Sequence, residues 1–571
     1  MTSGPSNESR SRRAIGIAIA IMIGAGSSRA AAPVVDYLFP PGGRQGTSVS
    51  VTAGGKVDKA PTQVWTDHPG LKAQPAAAGG SFTLQIDKDA PPGAHLLRLY
   101  NAEGASALRV FVVGADPDLA EAEPNDELAK AQPVAALPVT VNGRLEKSGD
   151  VDSYSVKLEA GQWLSAAVLS RRLGAPVDPM LHLYDAASGD ELAFAHDGLG
   201  LDPLLVFRAE KAGAYVVRVS AFPFPPAADV KLTGGAADVY RLRLSGGAPV
   251  RYAFPAGVRR GTKARVALFD WAGEPSSFEV DATKAGDEVS IKIPAAGADG
   301  ALALAVGDGP ELTEPEAESA ASGSPARPAA PFAVTGRLEH EGEEDAIAFV
   351  AKKGERLTAS ARAVALASEM DPVLRLEDES GKVLAADDDG AGPPGGDARL
   401  QWEAPADGVY RAVVADLSRR AGPGHVYRLS VSTQGPSAAV ATVDADEYRV
   451  APGKPATVKV TVARPAGDSR SLVTVATGLP AGVAATSADV PEKGGEVSIT
   501  LTAAADAKPA SGPLRVMLLA ADRDRPGATA AACSLRKDNG QELVERSESL
   551  WLTVLPVHSA EPKPGDAPKA K

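Results

Sequence analysis

Six oxygen-bearing side chains in two short stretches form the densest chemical signal in the sequence: Glu121, Glu123, Asn125 and Asp126, then Asp150 and Asp152. Carboxylates and carboxamides are hard donors, and a hard cation such as calcium takes about six to eight oxygens at roughly 2.3 to 2.6 Å. The alternating spacing of Glu121, Glu123 and Asn125 places three of them on one side of an extended strand. A second reading stays open, in which Asn125 or Asp126 caps a short helix over 127–131 and the acids form a solvated linker. Asp387-Asp388-Asp389-Gly390 is another acidic loop, for which a solvated turn is a sufficient account.

Catalytic patterns are missing. There is no Gly-x-Ser-x-Gly elbow, and Gly46-Thr47-Ser48 only superficially echoes a subtilase serine segment. His340-Glu341 lacks the second histidine that zinc would need, and the seven histidines are scattered along the chain. No catalytic residue is therefore assigned, although a hydrolase with an unrecognised site stays as a lower alternative. Cys533 is the single cysteine, which excludes an intramolecular disulfide; it reads as a small buried apolar residue.

The elements that position these side chains are set by two interleaved repeats. Asp178-Pro179-Met180-Leu181 returns as Asp371-Pro372-Val373-Leu374, Asn142-Gly143-Arg144-Leu145 as Thr335-Gly336-Arg337-Leu338, and Val239-Tyr240-Arg241-Leu242 as Val426-Tyr427-Arg428-Leu429. Tyr37-Leu38-Phe39-Pro40 with Gly42 and Arg44 returns as Tyr252-Ala253-Phe254-Pro255 with Gly257 and Arg259. The order is A, B, A, B, then a different C-terminal domain. The expected divisions are an export signal over 1–31, A1 over 34–115, B1 over 117–246, a shorter A2 over 247–311, B2 over 312–434, an Ig-like domain over 436–556 and a disordered tail over 557–571. Period-two stretches such as Thr47-Ser48-Val49-Ser50-Val51 and Ala456-Thr457-Val458-Lys459-Val460 predict strands, and long helical periodicity is absent. The predicted fold is all-β, with tandem β-sandwich modules strung like beads.

Comparing the copies singles out three aromatics as candidate ligand-binding residues. Trp163 precedes the inward phase Leu164, Ala166, Val168, and Arg356 takes its place in the second copy. Phe222 and Phe224 lie in an insertion that the second copy lacks. Exposed, such rings stack on sugars or apolar partners; the alternative is packing within or between domains.

Glu121-Ala122-Glu123-Pro124-Asn125-Asp126, Gly149-Asp150-Val151-Asp152-Ser153-Tyr154, Gly161-Gln162 and Gly213-Ala214-Tyr215 resemble the bacterial pre-peptidase C-terminal domain, to which the collagen-binding modules of secreted collagenases are related. The resemblance covers about 117–246 and, more weakly, 312–434. It implies a jelly-roll-like sandwich, calcium at its N-terminal edge with the two acidic segments brought together, and a non-catalytic targeting or processing role beside exported enzymes. B2 departs from the pattern, with Glu314-Pro315-Glu316-Ala317 standing for Glu123-Pro124-Asn125-Asp126, Glu343 for Asp150 and Ile347 for Tyr154.

Composition sets the compartment and the partners. The 571 residues carry a net charge of −13, the wrong sign for displacing counterions from nucleic acid. Arg10, Arg12 and Arg13 precede the apolar stretch Ala14 to Gly26 and then small residues through Ala32, the layout of an export signal; Ser11-Arg12-Arg13-Ala14-Ile15 also resembles a twin-arginine motif. Thirteen apolar residues fall short of the roughly 20 needed to span a bilayer, so no membrane span is expected. The expectation is an exported periplasmic, cell-surface or secreted protein that binds extracellular polysaccharide or protein matrix. The alternative is an accessory targeting or maturation subunit of a separately encoded secreted hydrolase. Protein recovered outside the cytoplasm should begin near Ala31 or Ala32 by N-terminal sequencing; an intact Met1 on cytoplasmic protein contradicts this.

Overall fold

The computed structural model describes residues 31–557 apart from 58–61, 77–78, 227–230, 286–289, 295–300, 315–326, 367, 391–395, 434–438, 465–469, 521–527, 535–543 and 545. The predicted export signal and tail thus lie almost wholly outside the described residues. The all-β expectation stands. Strands fill every module, and the described helical turns are the short 3-10 pieces Leu128–Lys130, Arg171–Leu173 and Val364–Leu366. Among the described residues no helix is long and apolar enough to cross a membrane.

Each module is a sandwich of two sheets because its strands bury every second residue. In Pro455–Ala463, Val458, Val460 and Val462 are buried while Lys459 and Thr461 face water. A1 sets a four-stranded sheet against a five-stranded one, whereas A2 is reduced to two sheets of three strands. A2 is therefore a smaller sandwich with a core of its own around Val258, Val266 and Leu304. B1 pairs its strands in the order 118–120, 139–144, 239–246, 163–169, 202–208 in one sheet and 152–158, 213–223, 177–185, 191–195 in the other, and B2 repeats both orders. The shared Gly143 and Gly336 have a direct cause: a Cβ there would lie 2.3 Å from atoms of the Tyr240 or Tyr427 side chain packed over it.

At each A–B joint a buried arginine of the B module packs against a glycine of the A module before it, which the beads-on-a-string expectation did not include. At the A1–B1 joint the side chain of Arg241 is buried; its Nη1 donates to Asn142 Oδ1 at 2.6 Å and its Nη2 to Asp118 Oδ1 at 3.3 Å. The guanidinium reaches across to A1 only because Gly42 is bare, since a Cβ there would stand 2.4 Å from Nη1. The A2–B2 joint repeats the device with Arg428, which pairs with Glu311 at 2.5 Å beside Gly257. A third contact docks the C-terminal domain on A1. Trp551 packs against Tyr100 and Trp65 at ring separations of 4.8 and 6.0 Å, and the fully buried Arg98 pairs with Asp446 at 2.7 Å.

Truncating one partner of a buried ionic cluster costs about 3–5 kcal/mol, because the remaining charges lose their compensation. Arg241→Ala should therefore destabilise by that amount and split the A1 and B1 unfolding seen by scanning calorimetry. An unchanged thermogram would show that the joint does not couple them.

Candidate metal centre

Strand Asp118–Ala120 pairs in parallel with Val139–Arg144, and the chain then runs out through the 121–126 segment. Glu121 ties that segment to the sheet by accepting the Arg144 amide on Oε2 at 2.7 Å. Asp152 opens the strand Asp152–Leu158. Its Oδ2 accepts the Tyr240 hydroxyl at 2.6 Å, and the Tyr154 hydroxyl lies 2.5 Å from that of Tyr240. Glu121, Glu123 and Asp152 each bring a carboxylate oxygen within 4.8 Å of the others. Glu123 also accepts the Asn125 amide at 2.9 Å, folding the segment over the cluster.

Two observations test whether this set fits a cation. Burial, with Glu121 beside it, pushes the Asp152 carboxyl up to about 10, and burial raises Glu121 as well. Further, Glu121 Oε1, Asp152 Oδ1 and both side-chain polar atoms of Asn125 are buried without a hydrogen-bond partner, and Asn125 is fully buried. Buried polar atoms normally find a partner. Crowded carboxylates with vacant buried oxygens are the environment that a hard cation relieves. Four side chains reach six donor atoms when carboxylates bind through both oxygens or when backbone carbonyls and water complete the shell.

The helix-capping alternative is not what forms. The 3-10 turn Leu128–Lys130 has Glu127 at its N-cap and no side-chain cap bond, so Asn125 and Asp126 do not serve it. Nor do all six predicted donors converge. Asp126 Oδ2 and Asp150 Oδ1 lie 3.3 and 3.2 Å from Lys147 Nζ, and Asp150 Oδ2 accepts the Glu146 amide. These two acids already have a cation, the ammonium of Lys147. The spacing of the acids gave no hint of Lys147, or of the Tyr154–Tyr240 pair beneath Asp152.

The second copy corrects one alignment. Glu314 accepts the Arg337 amide at 3.1 Å as Glu121 accepts that of Arg144, so Glu314 is the counterpart of Glu121 and not of Glu123. Glu343 accepts the Glu339 and His340 amides, the loop-closing task that Asp150 performs in B1. Asp345 is buried like Asp152, while 315–326 lie outside the described residues. In the Asp387–Gly390 loop, Asp387 accepts the Gly390 and Arg399 amides, as a turn residue does.

The three candidate aromatics do not share one surface. Trp163 is half-buried at the start of strand Trp163–Leu169, with the Arg208 guanidinium 5.9 Å from its ring. Phe224 is half-buried under Arg171, 3.8 Å away, just beyond the other end of that strand. Seven strand residues at about 3.3 Å each separate those ends by about 20 Å. Phe222 lies opposite Asp178 on the outer face of the other sheet. Ser48 lines a cleft of about 560 Å³ at the A1–B1 joint, with no histidine or cysteine among the residues around it.

No protein-family model matches the chain. Over 101 residues it is 36% identical to a probable subtilase-type serine protease of Deinococcus radiodurans, a match covering 17% of this chain and 14% of that protein. The chain thus spans a small part of the curated relative it matches. That similarity is compatible with a peptidase-associated domain.

A cation–π contact is worth about 0.5–1 kcal/mol when exposed and about 2 when desolvated. Phe224→Ala should therefore lower stability by about 1–2 kcal/mol in a denaturant titration. A change below about 0.3 kcal/mol would mean that Phe224 does not hold Arg171.

Proposed function

We propose that this is an exported, non-catalytic, peptidase-associated binding protein whose first B module holds calcium. Glu121, Glu123, Asn125 and Asp152 are the ligands, and the ion fastens the 121–126 segment to the start of strand Asp152–Leu158. The carrying observation is the set of three buried acceptors without donors beside facing carboxylates. The resemblance of B1 to the pre-peptidase C-terminal domain supports the same ion and the same accessory role. A second reading is favoured by the partial subtilase match: an accessory subunit that targets or matures a separately encoded exported hydrolase. That reading expects a stoichiometric complex with the hydrolase in native extracellular extract, visible by size-exclusion chromatography with mass spectrometry.

A ligand that binds only the folded state stabilises it by RT ln(1 + [L]/Kd), about 2.7 kcal/mol at a hundredfold excess over Kd. The full-length protein should melt higher in calcium than in chelator. Asp152→Asn removes one of the facing carboxylates, so it should raise the melting temperature in chelator and abolish the increment from calcium. No increment in the wild type, or an equal one in the variant, overturns the assignment.

A further inference from the structure

The outer face of the second B1 sheet carries a row of rings. Strands Val177–Asp185 and Glu191–Ala195 pair antiparallel with His182 opposite Phe194, while Leu181, Leu183, Ala193 and Ala195 pack on the core. His182 lies 6.3 Å from Tyr184 and 4.8 Å from Phe194, and Phe194 lies 6.5 Å from His196. The two end pairs are close to parallel, at 24° and 17°. Phe194 is 54% exposed on an edge strand. Polar groups flank the row: Glu191 meets His182 at 3.0 Å and Tyr184 at 3.3 Å, and Asp178 meets His196 at 3.2 Å.

The fold does not require these rings. At the same register positions B2 has Arg375 opposite Ala386 and, next along, Glu377. There Arg375 pairs with Glu344 at 2.6 Å and with Glu377 at 3.6 Å, and Arg411 pairs with Glu377 at 3.2 Å. One copy covers this face with salt bridges, the other with rings.

We propose that this face of B1 is a stacking platform for an uncharged polysaccharide chain. The assignment rests on the binding role proposed above and names its partner class and site. A sugar ring presents an apolar C–H face bordered by hydroxyls, which suits a row of π-faces edged by carboxylates and imidazoles. Area argues against a second copy or a folded protein. Four rings hold about 600–1,000 Å² in all, but Phe194 is 54%, His196 41% and His182 25% exposed, so the row offers well under the roughly 800 Å² per partner of a stable protein interface. The carboxylates that edge the row, Glu191, Asp178 and Asp197, carry the sign that repels an acidic polysaccharide.

The test is retention of the full-length protein on chitin, cellulose and an insoluble β-1,3-glucan, with fibrillar collagen as a separate arm. The platform expects retention on at least one of the glycans. Phe194→Ala and Phe194→Leu should each weaken that retention about tenfold with an unchanged melting curve, and Val383→Ala, at an exposed position of B2, should leave it intact. Glycan retention unaffected by the Phe194 variants keeps the binding role and overturns this face. Retention on collagen alone keeps the role and overturns the occupant. Retention on none of the four overturns both.

Discussion

At each A–B joint an arginine of the B module is buried against a bare glycine of the A module before it, and the positions of the other features follow from that joint. A guanidinium out of water is tolerated only when its donors are met, and Arg241 meets Asn142 and Asp118. Asp118 begins the short strand that leads, three residues later, into Glu121. The acidic segment is therefore anchored at one end by the joint and at the other by Arg218, whose Nη2 donates to the Asp126 carbonyl at 2.9 Å. Arg218 also lies 5.7 Å from the Tyr184 ring, so the joint, the acidic cluster and the row of rings form one connected series of contacts.

The two B modules show how one scaffold supports two electrostatic solutions. Both bury an aspartate at the head of the same strand and close the preceding loop with a carboxylate. Beneath its aspartate B1 places two tyrosine hydroxyls, one of them from Tyr154, where B2 has Ile347. A pair of hydroxyls keeps one oxygen of Asp152 hydrogen-bonded while the other faces Glu121. The charge density of the B1 edge is thus held in place from below.

Much of this was legible because the repeats expose their own constraints. Gly42 and Gly257, Gly143 and Gly336, and the Tyr-Arg pairs at 240–241 and 427–428 are the contact points of the joints and of the strand crossings, and an unaligned repeat shows them as shared positions. The alternation of Val458, Val460 and Val462 likewise gave the strand directly. Lys147 was not legible, since its pairing with Asp126 depends on a loop closure and not on spacing. The row of rings escaped for a related reason. Phe194 meets His182 only in the register set by the turn over 186–190 and the irregularity at Leu183/Tyr184, and a slip of one residue would bury Phe194 instead. Trp163 and Phe224 stood out as unusual residues, yet each covers an arginine of its own module.

The contact between A1 and the C-terminal domain also brings the two ends of the described chain to one place. Asn101 holds the Ala31 carbonyl at 2.7 Å, and the last strand, Leu550–Val554, presents Trp551 to the same A1 sheet. A pull exerted between the two ends is then borne first by the Trp551 and Arg98 contact, while the four intervening junctions lie outside the load path until it parts. Tethered in flow from both ends, the molecule would keep its B faces in their resting geometry and yield at a single latch.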